Sequence, residues 1–112
     1  MPDAVLNVSA PPLSLAELVN EAQRLQSAGR TDAAVALYQQ WLQDGPQPLR
    51  HVAQFNLGTL LGSLQRTGEA EAAYRAAVAL QPDFPHARLN LGHLLERSGQ
   101  HDAALDEWRA VI

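Results

Sequence analysis

The sequence predicts an all-α protein in which about three helix–turn–helix hairpins stack into a right-handed superhelix. The first observation is internal: the segment 51–78 aligns with the segment 85–112 at an offset of 34 residues, and nine of the 28 aligned pairs are identical. A fixed period between about 20 and 50 residues is typical of stacked-repeat proteins. The second observation is that alanine and leucine are abundant while aromatic and β-branched residues are sparse, which favours helix over strand. A repeated helical unit of this kind predicts binding rather than catalysis.

The composition excludes several classes of function. The 112 residues are 46% hydrophobic and carry a formal net charge of −4, with eight lysine and arginine residues in total. No basic run supplies the charged surface that nucleic-acid binding needs. Residues 1–13 lack a basic start and a long apolar stretch, so we expect a flexible N-terminal segment rather than a signal peptide. No segment approaches the roughly 20 apolar residues of a membrane span, so we expect a cytoplasmic protein with no membrane partner.

The first hairpin is predicted at about residues 15–48. Ser14 followed by Glu17 is a capping-box pattern, which places the start of the first helix near Leu15. Apolar residues then recur at three- and four-residue steps until Gly29, which supplies the C-terminal stop. Thr31 is the expected N-cap of the second helix. The predicted buried stripe of this helix is Ala34, Val35, Tyr38, Trp41 and Leu42. The Asp-Gly-Pro segment at 44–46 is expected to end it.

The second and third hairpins are predicted at residues 51–84 and 85–112, and the third is incomplete. The expected helices run from about Leu49 to Leu64, from Gly68 to Leu80, from Pro85 to Ser98 and from Asp102 to Ile112. Pro85 suits the first turn of a helix, where its missing amide costs nothing. The first hairpin aligns with the second at a spacing of 36, because the connector at 47–50 is two residues longer. Residues 14–112 are therefore predicted to form one repeat domain.

These hairpins resemble the tetratricopeptide repeat family over roughly residues 15–112. The second hairpin matches the family motif at Leu57, Gly58, Leu61, Ala70, Tyr74, Ala77 and Pro82. The third matches it at Leu91, Gly92, Leu95, Gly99, Ala104, Trp108 and Val111. The first hairpin is the most divergent, since Glu21 stands where the others have leucine, and Gln65 replaces a turn glycine in the second. The resemblance implies a protein- or peptide-binding scaffold with no catalysis in this segment.

Small residues recur in phase with aromatic ones. We expect Gly58 to face Ala70, and Gly92 to face Ala104, so that paired helices approach closely. The aromatic residues expected to fill the space between successive hairpins are Tyr74 and Trp108.

One asparagine recurs at the sixth position of each first helix: Asn20, Asn56 and Asn90. The family resemblance places these positions on the inner, concave groove. An amide there can both donate and accept, so a row of amides is suited to an extended peptide backbone. The repeats of O-linked N-acetylglucosamine transferases use such a ladder, and the Asn-Leu-Gly steps of this chain resemble them. The alternative interpretation is that the asparagines only support packing between repeats.

Further residues complete the predicted groove. They are Gln23, Phe55, Thr59, His86, Leu89 and His93. Another binding mode of the family grips a C-terminal carboxylate with basic residues at set positions of the first helices. The corresponding positions here are Val19, His86 and Asn90. None of them is lysine or arginine, so no such clamp is predicted.

No metal site, cofactor or catalytic centre is predicted. His86 and His93 are seven residues apart, whereas a two-histidine metal pair on a helix is normally four apart. His51 and His101 lie in other helices, and the chain has no cysteine. Pairs of acidic residues four positions apart are expected on solvent-exposed helix faces rather than in a catalytic site. The sequence contains no nucleophile elbow, phosphate-binding glycine loop or serine–histidine–aspartate pattern.

Two alternatives concern the chain as a whole. The Asn-Leu-Gly steps resemble the N-terminal repeat region of bacterial SPINDLY-type O-linked N-acetylglucosamine transferases. That resemblance implies repeats that present protein substrates to a downstream catalytic domain. The third hairpin also stops before the connector that closes the others, which leaves Trp108, Val111 and Ile112 without a polar cap. We therefore expect either a longer parent chain or self-association through this last helix.

Overall fold

The computed structural model describes residues 13–43 and 49–112. These residues form six helices: α1 Leu15–Ser27, α2 Thr31–Gln43, α3 Arg50–Ser63, α4 Thr67–Leu80, α5 Pro85–Arg97 and α6 His101–Arg109. Within those two ranges no residue lies in a β-strand. The predicted all-α class is confirmed, and each helix boundary of the second and third hairpins except the end of α6 lies within two residues of its predicted place. None of the described helices is long and apolar enough to span a lipid bilayer.

The helices pack in the order in which they follow one another. Each helix makes its principal contacts with the helices before and after it in the sequence, which gives a helical-repeat superhelix 54 Å long and 21–28 Å across. The hairpins are α1–α2, α3–α4 and α5–α6. Because each hairpin buries its apolar face mainly against its neighbours, the core is a continuous row rather than a single centre.

The capping box at the start of α1 is present as predicted. The Ser14 amide donates to Oε1 of Glu17 at 2.8 Å, and the Glu17 amide donates to Oγ of Ser14 at 3.1 Å. The Trp41 indole nitrogen donates to the Leu13 carbonyl at 2.7 Å, which fixes the approach of the chain to α1. The rest of the predicted flexible segment, residues 1–12, lies outside the described residues.

The start of α2 differs from the prediction. Thr31 is already the first helical residue, so the expected N-cap at Thr31 is wrong. The Ala34 amide bonds to the Arg30 carbonyl at 3.2 Å, and Arg30 therefore holds the position that precedes the helix. The turn predicted at 44–46 lies outside the described residues.

The end of α6 also differs. The helix was expected to reach Ile112 but ends at Arg109. The Val111 amide bonds to the Trp108 carbonyl, three residues back, at 3.1 Å. A three-residue step tightens the last turn and terminates the α-helical ladder.

The tight turn inside each hairpin has one geometry. In each, a left-handed residue follows the first helix: Gly29 at φ 77°, Gln65 at φ 61° and Gly99 at φ 84°. The next amide then bonds to a carbonyl five residues back, as from Arg66 to Leu61 at 2.9 Å. This is the Schellman arrangement, which glycine normally supplies. The second hairpin therefore keeps the turn at the expense of backbone strain at Gln65.

In the second and third hairpins a glycine lies against an aromatic ring of the same hairpin. A Cβ added to Gly58 would lie 2.9 Å from two ring atoms of Tyr74, and one added to Gly92 would lie 2.6 Å from Cδ1 of Trp108. Each glycine therefore makes room for a ring, a contact that the sequence analysis did not predict. Tyr74 also lines a recess together with residues of α5, so its ring reaches the boundary with the next hairpin.

Candidate functional site

The predicted groove corresponds to the surface formed by α1, α3 and α5, which we call the inner face. Three recesses lie along it. The first, of about 160 Å³, lies between α1 and α3 and includes Gln23, Tyr38, Asn56 and Thr59. It is lined mainly by amide and hydroxyl groups above an apolar floor.

The second and third recesses lie between α3 and α5. The second, of about 270 Å³, is lined by Thr59, Gly62, Ser63, Tyr74, Asn90, His93, Leu94 and Arg97. The third, of about 470 Å³, is lined by Gly62, Ser63, Gln65, Thr67, Leu94, Arg97 and Ser98. Four residues line both, so the two recesses adjoin between the middle of α5 and the hairpin turns.

The three asparagines of the predicted ladder have different surroundings. Asn56 is half-buried, and its Nδ2 donates to the Tyr38 hydroxyl at 3.2 Å. Asn90 is half-buried beside Tyr74, and Asn20 is exposed. Among the described residues, no hydrogen bond is made by the side chain of Asn20 or Asn90. Asn56 thus joins two hairpins, a role that the other two amides do not share.

Two tyrosine hydroxyls lie beneath the inner face. Burial raises the pKa of Tyr38 above 10.0, and the hydrogen bond from Asn56 partly opposes that rise. The Tyr74 hydroxyl lies 3.1 Å from the Thr59 hydroxyl, so α4 and α3 are also linked by a polar contact. Sequence reasoning had assigned both tyrosines to packing alone. The repeated aromatic position next to a recurring asparagine was the signal that could have identified this contact.

Aromatic rings form a cluster beside the second hairpin. Phe55 lies 5.9 Å from Tyr74 and 5.3 Å from Phe84, and Phe84 lies 5.4 Å from the ring of His51, all measured between ring centroids. Phe55 and Phe84 are half-buried. Phe84 was not predicted as part of the groove, and its position immediately before Pro85 in a connector gave no periodic signal.

Some of the predicted groove residues line a recess and others do not. Gln23, Asn56 and Thr59 meet in the first recess, and Thr59, Asn90 and His93 meet in the second. His93 is exposed, with its ring 5.7 Å from that of Trp108. The remaining predicted residues line none of the three recesses: Asn20, Phe55, His86 and Leu89. Among the lining residues that the sequence analysis did not predict, Ser63 and Arg97 are the last residues of α3 and α5.

Four arginines, Arg24, Arg66, Arg75 and Arg88, pair with glutamates outside the recesses. Arg88 pairs with Glu107 at 3.1 Å across the third hairpin, and Arg66 pairs with Glu69 at 2.7 Å. No acidic residue lines any of the three recesses in the described part of the chain. In residues 13–43 and 49–112, no group of three or more histidine and acidic side chains is placed to hold a metal ion.

Comparison with known proteins identifies the repeat. The family model described as "Tetratricopeptide repeat" matches residues 55–111, which is half of the chain. The chain belongs to the tetratricopeptide repeat family. The match covers the second and third hairpins, where the self-alignment is also clearest.

Two proteins are similar in sequence to this tetratricopeptide repeat protein. One is the tetratricopeptide repeat and J domain-containing co-chaperone DNJ1 of Fusarium oxysporum f. sp. lycopersici, at 30% identity over 92 residues. The other is the protein O-mannosyl-transferase Tmtc1 of Drosophila melanogaster, at 37% identity over 98 residues. The matches cover 82% and 86% of this chain but only 17% and 11% of those proteins.

Solved structures share the fold. A tetratricopeptide repeat protein from Parabacteroides merdae superimposes with a TM-score of 0.79 at 21% identity, covering 86% of this chain and 38% of that one. MamA gives a TM-score of 0.73 at 19% identity, covering 98% of this chain and 62% of that one. The matched hairpins form a tetratricopeptide repeat module, a scaffold for protein interaction.

Proposed function

We propose that the domain binds an extended segment of a partner protein along the inner face. The observation that carries the proposal is the row of three recesses between consecutive first helices. Side-chain amides and hydroxyls line all three of them, so both backbone N–H and C=O groups of an extended chain would find partners. The aromatic cluster around Phe55 adds apolar surface beside this row.

The three asparagines have different roles in this proposal. Asn90 and Asn20 present amides with no hydrogen bond to other described residues, so they serve the ligand. Asn56 already donates to Tyr38, which leaves its carbonyl oxygen for an N–H group of the partner. The ladder therefore combines binding with packing.

The test begins with an array of random nonapeptides, from which one bound peptide is chosen as a fluorescent probe. Asn90→Ala removes one or two hydrogen bonds and is expected to weaken probe binding by about 3- to 10-fold. Gln39→Ala is the matched control, because Gln39 is an exposed amide on α2 that lies outside the recesses. Binding that depends on Gln39 and not on Asn90 would refute the inner face as the binding surface.

A second candidate is that the domain belongs to a glycosyltransferase and presents protein substrates to its catalytic domain. The sequence similarity to protein O-mannosyl-transferase Tmtc1 favours this candidate, as do the Asn-Leu-Gly steps that resemble SPINDLY-type enzymes. The test is the complete reading frame of the parent gene. A nucleotide-sugar or membrane glycosyltransferase domain in the same polypeptide would support it, and a frame without one would eliminate it.

Self-association through α6 is a further part of the proposal. Leu105 on α6 is 41% exposed and Ile112, three residues after the end of α6, is fully exposed, so this end of the stack presents apolar surface that a second copy would cover. Trp108 is a poor probe of this surface, because its ring packs on Gly92 within the hairpin. Sedimentation analysis should instead compare the parent with Leu105→Gln. A dimeric parent and a folded, monomeric variant are expected, and a parent that is monomeric at high concentration would exclude the proposal.

A further inference from the structure

The second and third recesses form one channel, which we call the Arg97 channel. It runs between α3 and α5 from Tyr74 and Asn90 to the turns that follow both helices. Its two parts measure about 270 and 470 Å³, so it is the largest of the inner-face recesses. A side chain of a segment bound on the inner face would have room to enter it.

The channel is open because of a glycine. A Cβ added to Gly62 would meet no heavy atom within 4 Å, so the space above this position is empty rather than filled by a neighbour. The opposite wall is Leu94, which is 3% exposed and belongs to the core. The packing of α3 against α5 therefore stays intact while the surface between them is left open.

The charge of the channel comes from Arg97. Among the described lining residues it is the only arginine or lysine, and no acidic side chain is present. Arg97 makes no ion pair or side-chain hydrogen bond with any described residue. By contrast, Arg24, Arg66, Arg75 and Arg88 each pair with a glutamate.

The polar groups around Arg97 divide into two kinds. The hydroxyls of Ser63 and Ser98 already donate to backbone carbonyls at 2.7 and 3.0 Å. The Gln65 amide and the Thr67 hydroxyl line the same recess and make no hydrogen bond with other described residues. Arg97 thus has further donors beside it, and a carboxylate is the group that uses several donors at once.

We propose that the Arg97 channel receives an aspartate or glutamate side chain of the partner segment. This inference rests on the proposed binding of that segment along the inner face. An arginine fork binds a carboxylate through two parallel hydrogen bonds, and Gln65 and Thr67 are placed to add to them. The chain as a whole carries a net charge of −4, which repels an acidic partner at long range. Ions screen that repulsion beyond about 8 Å at physiological salt, so local pairing decides the preference.

The proposed ligand group is an internal side chain rather than a chain terminus. The channel opens onto the inner face midway along α5, at Asn90 and His93, so a segment that continues past α5 can direct a side chain towards Arg97. The acid would then be one element of a longer recognition sequence.

The experiment uses an array of N-acetylated, C-terminally amidated nonapeptides in which one position is fixed as glutamate or glutamine and the others are random. The wild-type domain is expected to bind glutamate peptides about 10-fold more tightly than glutamine peptides, because a charge-assisted hydrogen bond is stronger than a neutral one. Arg97→Gln should reduce that preference to less than about 2-fold while leaving some glutamine peptides bound. Arg30→Gln is the matched control, because Arg30 is exposed in the first turn and lines none of the recesses.

A second variant tests the channel independently of charge. Gly62→Leu is expected to fill the space and to abolish the glutamate preference with Arg97 still present. Both variants are expected to fold, because Arg97 is exposed and the space above Gly62 is empty. Circular dichroism and the melting temperature check this.

The outcomes distinguish a failure of this inference from a failure of the proposed peptide binding on the inner face. Peptides retained without a glutamate preference, or with a preference that Arg97→Gln leaves unchanged, would overturn the inference and leave inner-face binding standing. If Arg30→Gln removes the glutamate preference as fully as Arg97→Gln does, the preference comes from the general charge of the domain, and the inference is overturned. A carboxylate effect seen only with free C-termini would assign the site to chain ends instead. An array that retains no peptide would overturn both proposals.

Discussion

The side-chain amide of Asn56 donates a hydrogen bond to the hydroxyl of Tyr38, 3.2 Å away, and so links α3 of the second hairpin to α2 of the first. This contact divides the asparagine row by function. Asn56 takes part in the packing of the repeats, whereas Asn20 and Asn90 have no such bond to the described residues. The packing interpretation of the recurring asparagine therefore applies to Asn56, and the binding interpretation stays a proposal for Asn20 and Asn90.

Asn56→Ala is expected to lower the free energy of unfolding by about 1 kcal/mol, because it deletes a half-buried hydrogen bond and leaves the Tyr38 hydroxyl without its donor. Asn20→Ala is the matched control and should change stability by less than about 0.5 kcal/mol, since the residue is exposed. Urea denaturation of the three proteins measures both effects. Equal destabilisation by the two substitutions would contradict the assignment.

Tyr38 makes stability depend on pH at the alkaline end. Burial raises its folded-state pKa above 10.0, so the folded protein holds the phenolic proton more tightly than the unfolded chain does. The stabilisation is complete below pH 10 and is lost as the pH rises through the folded-state pKa. Tyr38→Phe should therefore show a smaller loss of stability above pH 10 than the parent. Because the Asn56 hydrogen bond lowers this pKa, Asn56→Ala should raise it further in a spectrophotometric titration.

Gly92→Ala and Gly58→Ala are expected to destabilise the fold. An added methyl group would press into the Trp108 or Tyr74 ring, and overpacking of this kind typically costs about 1–3 kcal/mol. Gly92→Ala should be the more harmful, because the Trp108 ring lies closer. Gly68→Ala is the control: it lies in α4 with no atom within 4 Å of an added Cβ, so the helix preference of alanine should stabilise it by up to about 1 kcal/mol. Melting temperatures that rise for all three would contradict the packing role of the glycines.

Gln65→Gly is expected to stabilise the domain. Gln65 has a φ of 61°, in the region where side chains other than glycine are strained by about 1–2 kcal/mol. The greater freedom of glycine in the unfolded chain offsets part of the gain, leaving roughly 0.5–1 kcal/mol. Gly99→Ala, at a φ of 84°, should have the opposite effect although nothing fills the space around it. The melting temperatures of the two variants and the parent test both expectations. A lower melting temperature for Gln65→Gly would show that the Gln65 side chain stabilises the fold by more than the backbone strain costs.

His101 should titrate above pH 6.5. Its ring nitrogen Nδ1 lies 2.8 Å from Oε1 of Glu96, and the hydrogen bond and charge of Glu96 raise the pKa, with a smaller contribution from Asp102. The contribution to stability is present below pH 6.5 and is lost as the pH rises through the folded-state pKa. Both side chains are exposed, so the effect on stability is expected to be small. Proton NMR titration of the histidines should give a lower His101 pKa in Glu96→Gln, and an unchanged value would contradict the pairing.

The helices could be predicted because their signals are local. The capping box at Ser14, the proline at the start of α5 and the glycines of two turns each act on residues a few positions away. The two errors in helix boundaries, at Thr31 and near Ile112, are likewise local. At both places backbone hydrogen bonds to Arg30 and Trp108 decided the outcome.

The candidate site was less predictable. Periodicity placed Gln23, Asn56, Thr59, Asn90 and His93 on one face, and each of them lines a recess. It gave no signal for Phe84, which reaches the aromatic cluster from a connector. Periodicity also gave no signal for Arg97, because this residue lines a recess only through the open space above Gly62 in another helix.

The sequence by itself determined the repeat, the number and order of the helices, and the face that carries the recurring asparagines, because these depend on spacing along one chain. The tertiary structure alone decided that Gly92 lies against the Trp108 ring, and that Asn56 bonds to Tyr38. It also decided that Arg97 borders a channel without an acidic partner. The physical reason is that a helix period fixes the direction of a side chain but not the rotation and separation of the helices it meets, which the packing of whole hairpins sets.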